Sequence, residues 1–309
     1  MKEGDEADDE IADARRKTTS RREFERQPDF EEVSPEVGHL DEEAFDQLMQ
    51  EDPDRLLGML ADLTGATDQR LRELARRLAG RLFLDLSTRG PMRPRGVGRL
   101  ATRPYRPDAG DVDLDASLDA IVTARATDSA PDPDDLRVRT WATPATALCL
   151  VVDRSGSMGG EPLATAGVAA AAVAWRAPDD YSVLSFGNDV IAVKSQDVAK
   201  SSEMVVDGVL ALRGFGTTDL AGALVAAQIQ LARSTAARKI AVLFSDCRPT
   251  VDGDVWQAAA GLDELMVVAP DGDSAEAEEF AARVGAAVTT TTGPSDAVAA
   301  LSRVLDHSS

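Results

Sequence analysis

The chain has 309 residues, 43% of them hydrophobic and 4% aromatic, with a formal net charge of −21. That length exceeds one ordinary compact domain, and the composition suits a core of Ala, Val and Leu wrapped by helices. The charge argues against a general affinity for nucleic acid or anionic membranes, both polyanions, and favours cationic partners or metal ions.

The opening MKEGDEADDE has neither a basic start nor an apolar core, so no signal peptide is expected. No apolar run reaches the ~18 residues of a membrane span, the Ala-rich stretch 166–175 being too short. A cytoplasmic location is the expectation. Residues 1–38 alternate acidic and basic clusters (Asp8, Asp9 and Glu10 against Arg15, Arg16 and Lys17) with few large apolar residues. Such a segment buries too little surface to offset its ordering entropy, which predicts a disordered charged tail.

Residues 39–126 read as a helical N-terminal domain. Phe45, Leu48 and Met49, then Leu56, Leu57, Leu60 and Leu63, fall at helical spacing, and Asp52-Pro53 is a strong helix start. A further helix from Thr67 sets Leu71, Leu74, Ala75, Leu78 and Leu82 on one stripe and Arg70, Arg72, Arg76, Arg77 and Arg81 on the other face. The arginines continue through a turn-rich stretch with Arg89, Arg93, Arg95, Arg99, Arg103 and Arg106. They form either a solvated face pairing with the chain's own carboxylates or a docking surface for an acidic partner. The alternating segment 111–115 leads into a short helix with Leu118, Ile121 and Val122. Residues 127–143 are a Pro- and Asp-rich linker followed by a strand through Leu136, Val138 and Thr140.

From residue 144 to 309 the pattern becomes strand, helix, strand, helix. Buried runs end in polar residues at Asp153, Ser185 and Asp246, and another spans 265–269. Helical connections between buried strands imply a mainly parallel, doubly wound α/β sheet covered on both faces. Phe186-Gly187-Asn188-Asp189 reads as a tight turn, so Val190–Lys194 returns as an antiparallel edge strand. Cys149 lies inside one predicted strand and Cys247 just past the end of another. Neighbouring aligned strands would separate them by roughly 16 Å along the strand direction, beyond disulfide reach, so free thiols are expected.

The first buried strand runs Thr146-Ala-Leu-Cys-Leu-Val-Val-Asp153, then breaks into Arg154-Ser155-Gly156-Ser157-Met158-Gly159-Gly160 before a helix opens at Glu161-Pro162. In a parallel sheet that break lies at the carboxyl edge, where ligands bind. Asp153, Ser155 and Ser157 are short oxygen-bearing side chains at alternate positions that can converge on a small hard cation such as Mg2+. Gly214-Phe-Gly-Thr217-Thr218-Asp219 and Ser245-Asp246 supply further oxygens on other loops.

These three elements, in this order, resemble the metal-ion-dependent adhesion site (MIDAS) of the von Willebrand factor A family over roughly residues 144–305. The resemblance implies that Ser155, Ser157 and Thr218 coordinate the metal directly, with Asp153 and Asp246 acting through bound water. Mg2+ is the implied ion, with Mn2+ and Ca2+ as alternatives. The implied function is non-enzymatic: the ion keeps an open position for a partner protein's carboxylate. Two positions depart from the family pattern, Cys247 where Gly is common and Gly216-Thr217 where Gly-Gly is common, and the second makes Thr217 a rival to Thr218. The stretches 110–119, 135–139 and 150–158 resemble the MoxR-associated group, related to the CoxE-like proteins and the magnesium chelatase D subunit. That likeness implies an adaptor or co-chaperone coupling a MoxR-type AAA+ ATPase to a client in protein maturation or metal-cofactor insertion.

Two other classes compete. A phosphate- or nucleotide-binding or hydrolytic enzyme would use the Gly-rich loop 154–160, yet no P-loop Lys follows it, and the only histidines are His39 and His307. A structural module with a vestigial site is the third reading.

Overall fold

The computed structural model describes residues 1–27, 29–88, 99–104, 111–126, 131, 135–142, 146–154, 160–212 and 216–306. Its helices are α1 Asp5–Arg16, α2 Arg21–Phe24, α3 Phe30–Val33, α4 Glu42–Glu51, α5 Pro53–Leu63, α6 Gln69–Thr88, α7 Leu118–Ala126, α8 Glu161–Arg176, α9 Ser202–Ala211, α10 Leu220–Ala232, α11 Val255–Ala260, α12 Ala275–Val284 and α13 Ala297–Asp306. Its strands are β1 Arg99–Pro104, β2 Asp111–Val112, β3 Arg137–Ala142, β4 Thr146–Asp153, β5 Tyr181–Phe186, β6 Val190–Lys194, β7 Arg238–Phe244, β8 Glu264–Pro270 and β9 Ala287–Thr291. Two compact units result: residues 1–91, 146–235 and 239–309 form one, residues 92–145 with 236–238 the other. Among the described residues no helix is long and apolar enough to cross a membrane.

The larger unit is built on a sheet of order β6-β5-β4-β7-β8-β9. β4 and β5 run parallel from Leu148↔Tyr181 to Asp153↔Phe186, β7, β8 and β9 pair parallel in turn, and β6 returns antiparallel to β5 as expected from the turn. Alternation along the buried strands divides the core. Leu148, Leu150, Val152, Val183, Val242 and Val268 join the cluster made with α8, α9 and α13, whereas Cys149, Val151, Leu184 and Leu243 turn to the face of α10. Burial on both faces explains why these strands are continuous apolar runs.

The sheet carries one strand that the sequence reading did not identify. β9 reads Ala-Val-Thr-Thr-Thr, too polar to signal burial, and is only partly buried at the sheet edge.

The N-terminal region differs from the sequence expectation in two ways. Residues 1–38 are structured. α1 buries Ala7 and Ile11, Phe24 stacks on Phe30 at 5.5 Å, and Lys2 accepts from Ala192 N and donates to Val190 O beside β6. A few apolar anchors suffice because the charges are partnered: Lys2 pairs with Glu10 at 2.7 Å, and Glu3 receives Arg233 at 2.8 Å. The Lys2 contact also occupies part of the open β6 edge, a row of unpaired backbone groups that proteins ordinarily shield.

The second difference is that α4, α5 and α6 do not build a separate domain with residues up to 126 but belong to the larger unit. α5 and α6 pack on α8. α8 is buried continuously from Leu163 to Ala174, as a helix apolar all round must be, with the sheet beneath it and α5 and α6 over it. On α6 the buried stripe is Leu71, Ala75, Ala79 and Phe83, with Leu74, Leu78 and Leu82 flanking. Of its arginines, Arg70, Arg77 and Arg81 are exposed, while Arg76 lies 3.6 Å from Asp207 and is partly desolvated. Arg89, Arg93, Arg95 and Arg106 lie outside the described residues.

In the smaller unit β3 is central, with β1 and β2 antiparallel on either side. Asp113 is buried there. Its carboxyl takes the Thr102 hydroxyl at 2.8 Å and the Ala116 amide at 3.2 Å, with Arg139 Nε at 3.2 Å, and these contacts hold it below the usual carboxylate range.

Cys149 and Cys247 are free and buried. Burial pushes the Cys149 thiol up to about 12, whereas an unfolded thiol ionises near about 8.5. The stabilising difference is fully present below the unfolded value and is lost as pH rises toward the folded one, because only the unfolded chain then releases the proton. The urea midpoint is therefore expected to fall between about pH 8 and about pH 10, with a shallower fall in Cys149→Ala; parallel slopes would refute the assignment.

Candidate metal centre

The candidate residues are set by where strands stop. β4 ends at Asp153, which is 4% exposed, and its neighbour β7 ends at Phe244, so Ser245 and Asp246 begin the adjoining loop. Ser245 Oγ donates to Asp153 Oδ2 at 2.7 Å and accepts from Cys247 N at 2.9 Å, which ties the two strand ends together. Asp246 Oδ1 accepts from Arg248 N at 3.1 Å, an Asx-type turn that fixes the carboxylate relative to its own loop. Arg248 is held in turn by Glu276 at 2.8 Å and by Asp273.

Thr218 enters from the segment before α10, just ahead of the cap residue Asp219, whose side chain accepts from Gly222 N. The Thr218 backbone is bound in both directions to the loop after β7. Thr218 N donates to Thr250 Oγ1 at 2.7 Å, and Thr218 O accepts from Thr250 N at 3.1 Å. On its other side Asp219 N reaches Gly187 O at 2.9 Å, and Arg154 N reaches Phe186 O at 2.8 Å. The loops after β4, β5 and β7 and the segment before α10 are thus laced together at the carboxyl edge of the sheet.

Thr217 and Thr218 differ sharply in this setting. Thr217 is exposed and its hydroxyl donates to Asn188 Oδ1 at 3.2 Å. Thr218 is buried, and its hydroxyl has no hydrogen-bond partner among the described residues. Ser155 and Ser157 lie outside the described residues, so three of the five candidates, Asp153, Thr218 and Asp246, are placed.

The local field is negative. The Cys247 thiol is pushed up to about 12, first by burial and then by the carboxylates of Asp246 and Asp153, both close enough to oppose a thiolate. A buried carboxylate beside a second one calls for a cation or a proton. One carboxylate held by Ser245, a second at the rim and an unpartnered hydroxyl make a hard-oxygen donor set that fits a small divalent ion. Among the described residues no cluster of three or more His, Cys, Asp or Glu forms a conventional metal cage.

Cys247 has φ +60, a left-handed conformation that costs a side chain-bearing residue roughly 1–2 kcal/mol. The backbone requirement explains why Gly is common at this place in the family pattern. Sequence reasoning did not assign the role of Ser245, although a hydroxyl residue directly before the last Asp was a legible signal. A cleft of about 180 Å³ opens beside Cys247, lined by Leu220, Val255, Trp256, Phe280 and Arg283 among others.

The family model for the von Willebrand factor type A domain matches residues 148–248. No curated protein matches the chain. Among solved structures, proximal thread matrix protein 1 from the mussel byssus is similar at 15% identity and a TM-score of 0.44, over 53% of this chain and 48% of that one. The same protein with a zinc-occupied MIDAS motif is similar at 15% identity and a TM-score of 0.42, over the same shares of the two chains. A von Willebrand factor type A structure from Catenulispora acidiphila is similar at 16% identity and a TM-score of 0.40, over 53% of this chain and 42% of that one. The chain thus spans less than half the length of these proteins. The family match runs from β4 through the loop that holds Asp246, so this stretch of the chain is similar to a von Willebrand factor type A domain.

Proposed function

We propose that this domain is a metal-dependent protein-binding module, in which Ser155, Ser157 and Thr218 hold a divalent ion and Asp153 and Asp246 act behind them through water. The observation that carries the reading is Thr218, a buried residue whose hydroxyl has no hydrogen-bond partner among the described residues, on a loop bonded to the one that presents Asp246. When bound, Mg2+ supplies net positive charge and an open position for an incoming carboxylate. Ser245 keeps Asp153 oriented, and the Arg248 turn keeps Asp246 from swinging away. A partner's Glu or Asp would complete the shell, with no bond broken. Zinc in the MIDAS of the byssus protein supports a divalent ion here, and Mg2+ is the choice because hydroxyls and carboxylates suit a hard cation.

The partner we propose is a MoxR-type AAA+ ATPase in the cytoplasm, with a client protein docking through an acidic side chain. This grouping rests on the sequence resemblance of 110–119, 135–139 and 150–158. A hydrolytic reading would need a base at the site, whereas His39 is exposed on the N-terminal segment. Copurification from the native host tests the proposal: an ATPase of this type should be retained in Mg2+ and lost in EDTA and in Asp153→Ala. A complex indifferent to both treatments would overturn metal-mediated docking.

A further inference from the structure

We propose that the outer edge of β6, together with Ser195, Gln230 and Arg233, is a strand-addition site for an extended peptide carrying a carboxylate, and that residues 1–3 of this chain occupy it in cis. The site shares no residue with the candidate metal centre. β6 lies at the rim of the six-stranded sheet, with β5 as its one neighbour in the strand order. Lys2 forms a parallel bridge to Ile191: its amide donates to Val190 O at 2.8 Å and its carbonyl accepts from Ala192 N at 3.0 Å. Main-chain pairing of this kind is how a sheet edge captures an extended segment.

Side chains add the specificity. Glu3, the next residue, lies in a cradle that fits a carboxylate. Its Oε1 accepts from Ser195 Oγ at 3.2 Å and from Gln230 Nε2, and its Oε2 accepts from Arg233 Nη2 at 2.8 Å. Gln230 is fully buried, and its own side-chain oxygen accepts from Gln196 N at 2.8 Å, which turns the amide nitrogen toward Glu3. Asp197 holds Arg233 through the other guanidinium nitrogen at 3.1 Å. Burial alone would raise the Glu3 carboxyl, yet the hydrogen bonds from Arg233 and Gln230 bring it below its ordinary value. The cradle therefore favours a charged carboxylate over a neutral side chain.

The cover itself is lightly anchored. After Gly4, α1 buries only Ala7 and Ile11. The rest of its grip is ionic, through Lys2 to Asp189 at 3.2 Å, Asp8 to Lys200 at 3.2 Å and Arg15 to Asp207. Ion pairs with partly exposed members contribute little and weaken in salt. A competing segment of the same chemistry can displace residues 1–3 without unfolding the sheet.

The test uses the full chain and a fluorescein-labelled synthetic peptide with the sequence of residues 1–12. Ile11→Asp puts a charge where α1 is buried, and Glu3→Arg with Ile11→Ala opens the strap by a milder route, setting a like charge against Arg233. In both variants the Ala192 amide is expected to exchange faster than in wild type. The peptide should bind both at least about 10-fold more tightly than wild type, whose own strap competes, and should restore Ala192 protection. Adding Arg233→Ala to the opened chain should weaken peptide binding about 10-fold, and a peptide carrying Glu3→Gln should lose a similar factor. If Ile11→Asp fails to fold, the double variant carries every comparison. Binding indifferent to both Arg233→Ala and the Glu3→Gln peptide would overturn the carboxylate cradle. No peptide binding by an opened variant whose Ala192 amide exchanges faster would overturn the docking site. A concentration-dependent wild-type dimer that keeps Ala192 protected would assign the edge to segment exchange between copies and overturn a peptide partner.

Discussion

Replacing Asp153 with Ala is expected to abolish the stabilisation that Mg2+ gives the wild-type protein, while leaving the metal-free protein about as stable as before. The argument turns on what the carboxylate costs and what it gains. Asp153 is almost fully buried at the end of β4, and Asp246 lies near enough for both charges to raise the Cys247 thiol. Without a cation, burying that charge beside Asp246 is unfavourable, and hydrogen bonds such as the one from Ser245 offset only part of the desolvation. Removing the carboxylate therefore loses hydrogen bonding, that from Ser245 included, and also relieves an electrostatic penalty. With the cation present the balance changes, because a ligand that binds only the folded state stabilises it by about 2.7 kcal/mol at a hundred times its Kd. Urea unfolding in EDTA and in saturating Mg2+ measures both arms. A loss of about 2 kcal/mol in Asp153→Ala that is equal in the two conditions would mark Asp153 as a structural anchor and count against the metal centre.

The sequence exposed this site because its residues sit where strands end. Asp153 and Asp246 each follow an apolar run, and a polar residue at the carboxyl end of a buried parallel strand has few structural reasons to be there. Thr218 was harder to separate from Thr217 by pattern, since the distinction lies in which hydroxyl meets Asn188 and which is buried. Ser245 was legible as a hydroxyl beside Asp246, but its role as the partner of Asp153 was not, because that partner is 92 positions away. The N-terminal segment was misread for a related reason. Charge-rich composition predicts disorder only when the charges lack partners, and here Lys2, Glu3 and Arg15 find theirs across the fold. The uniformly apolar stretch of α8 did hold a clue to the extra layer. A helix on one face of a sheet needs a polar outer side, and α8 has none between Leu163 and Ala174.

That extra layer yields the second large effect. Phe83→Ala is expected to cost about 3–5 kcal/mol, as deleting a fully buried aromatic ring generally does, and to lower the stability of the whole larger unit in one transition. Phe83 is 0% exposed on the buried stripe of α6. A Cβ placed on Gly167 would lie 2.8 Å from two of its ring carbons and 3.2 Å from Leu210 Cδ2. The ring thus fills the space that the glycine leaves on α8, and α9 closes the pocket. Two consequences separate this packing from a loosely docked domain. Gly167→Ala alone should destabilise the protein despite the roughly 1 kcal/mol by which Ala is the better helix former, because a rigid ring stands in the way. In the Phe83→Ala background the same change should stabilise, since the methyl group then enters a void. The four proteins make a double-mutant cycle whose interaction term, read from urea unfolding, should exceed about 1 kcal/mol. Were α4 to α6 an independent domain, Phe83→Ala would instead split unfolding into two transitions and leave that of the sheet unchanged, and additive effects at 83 and 167 would accompany it.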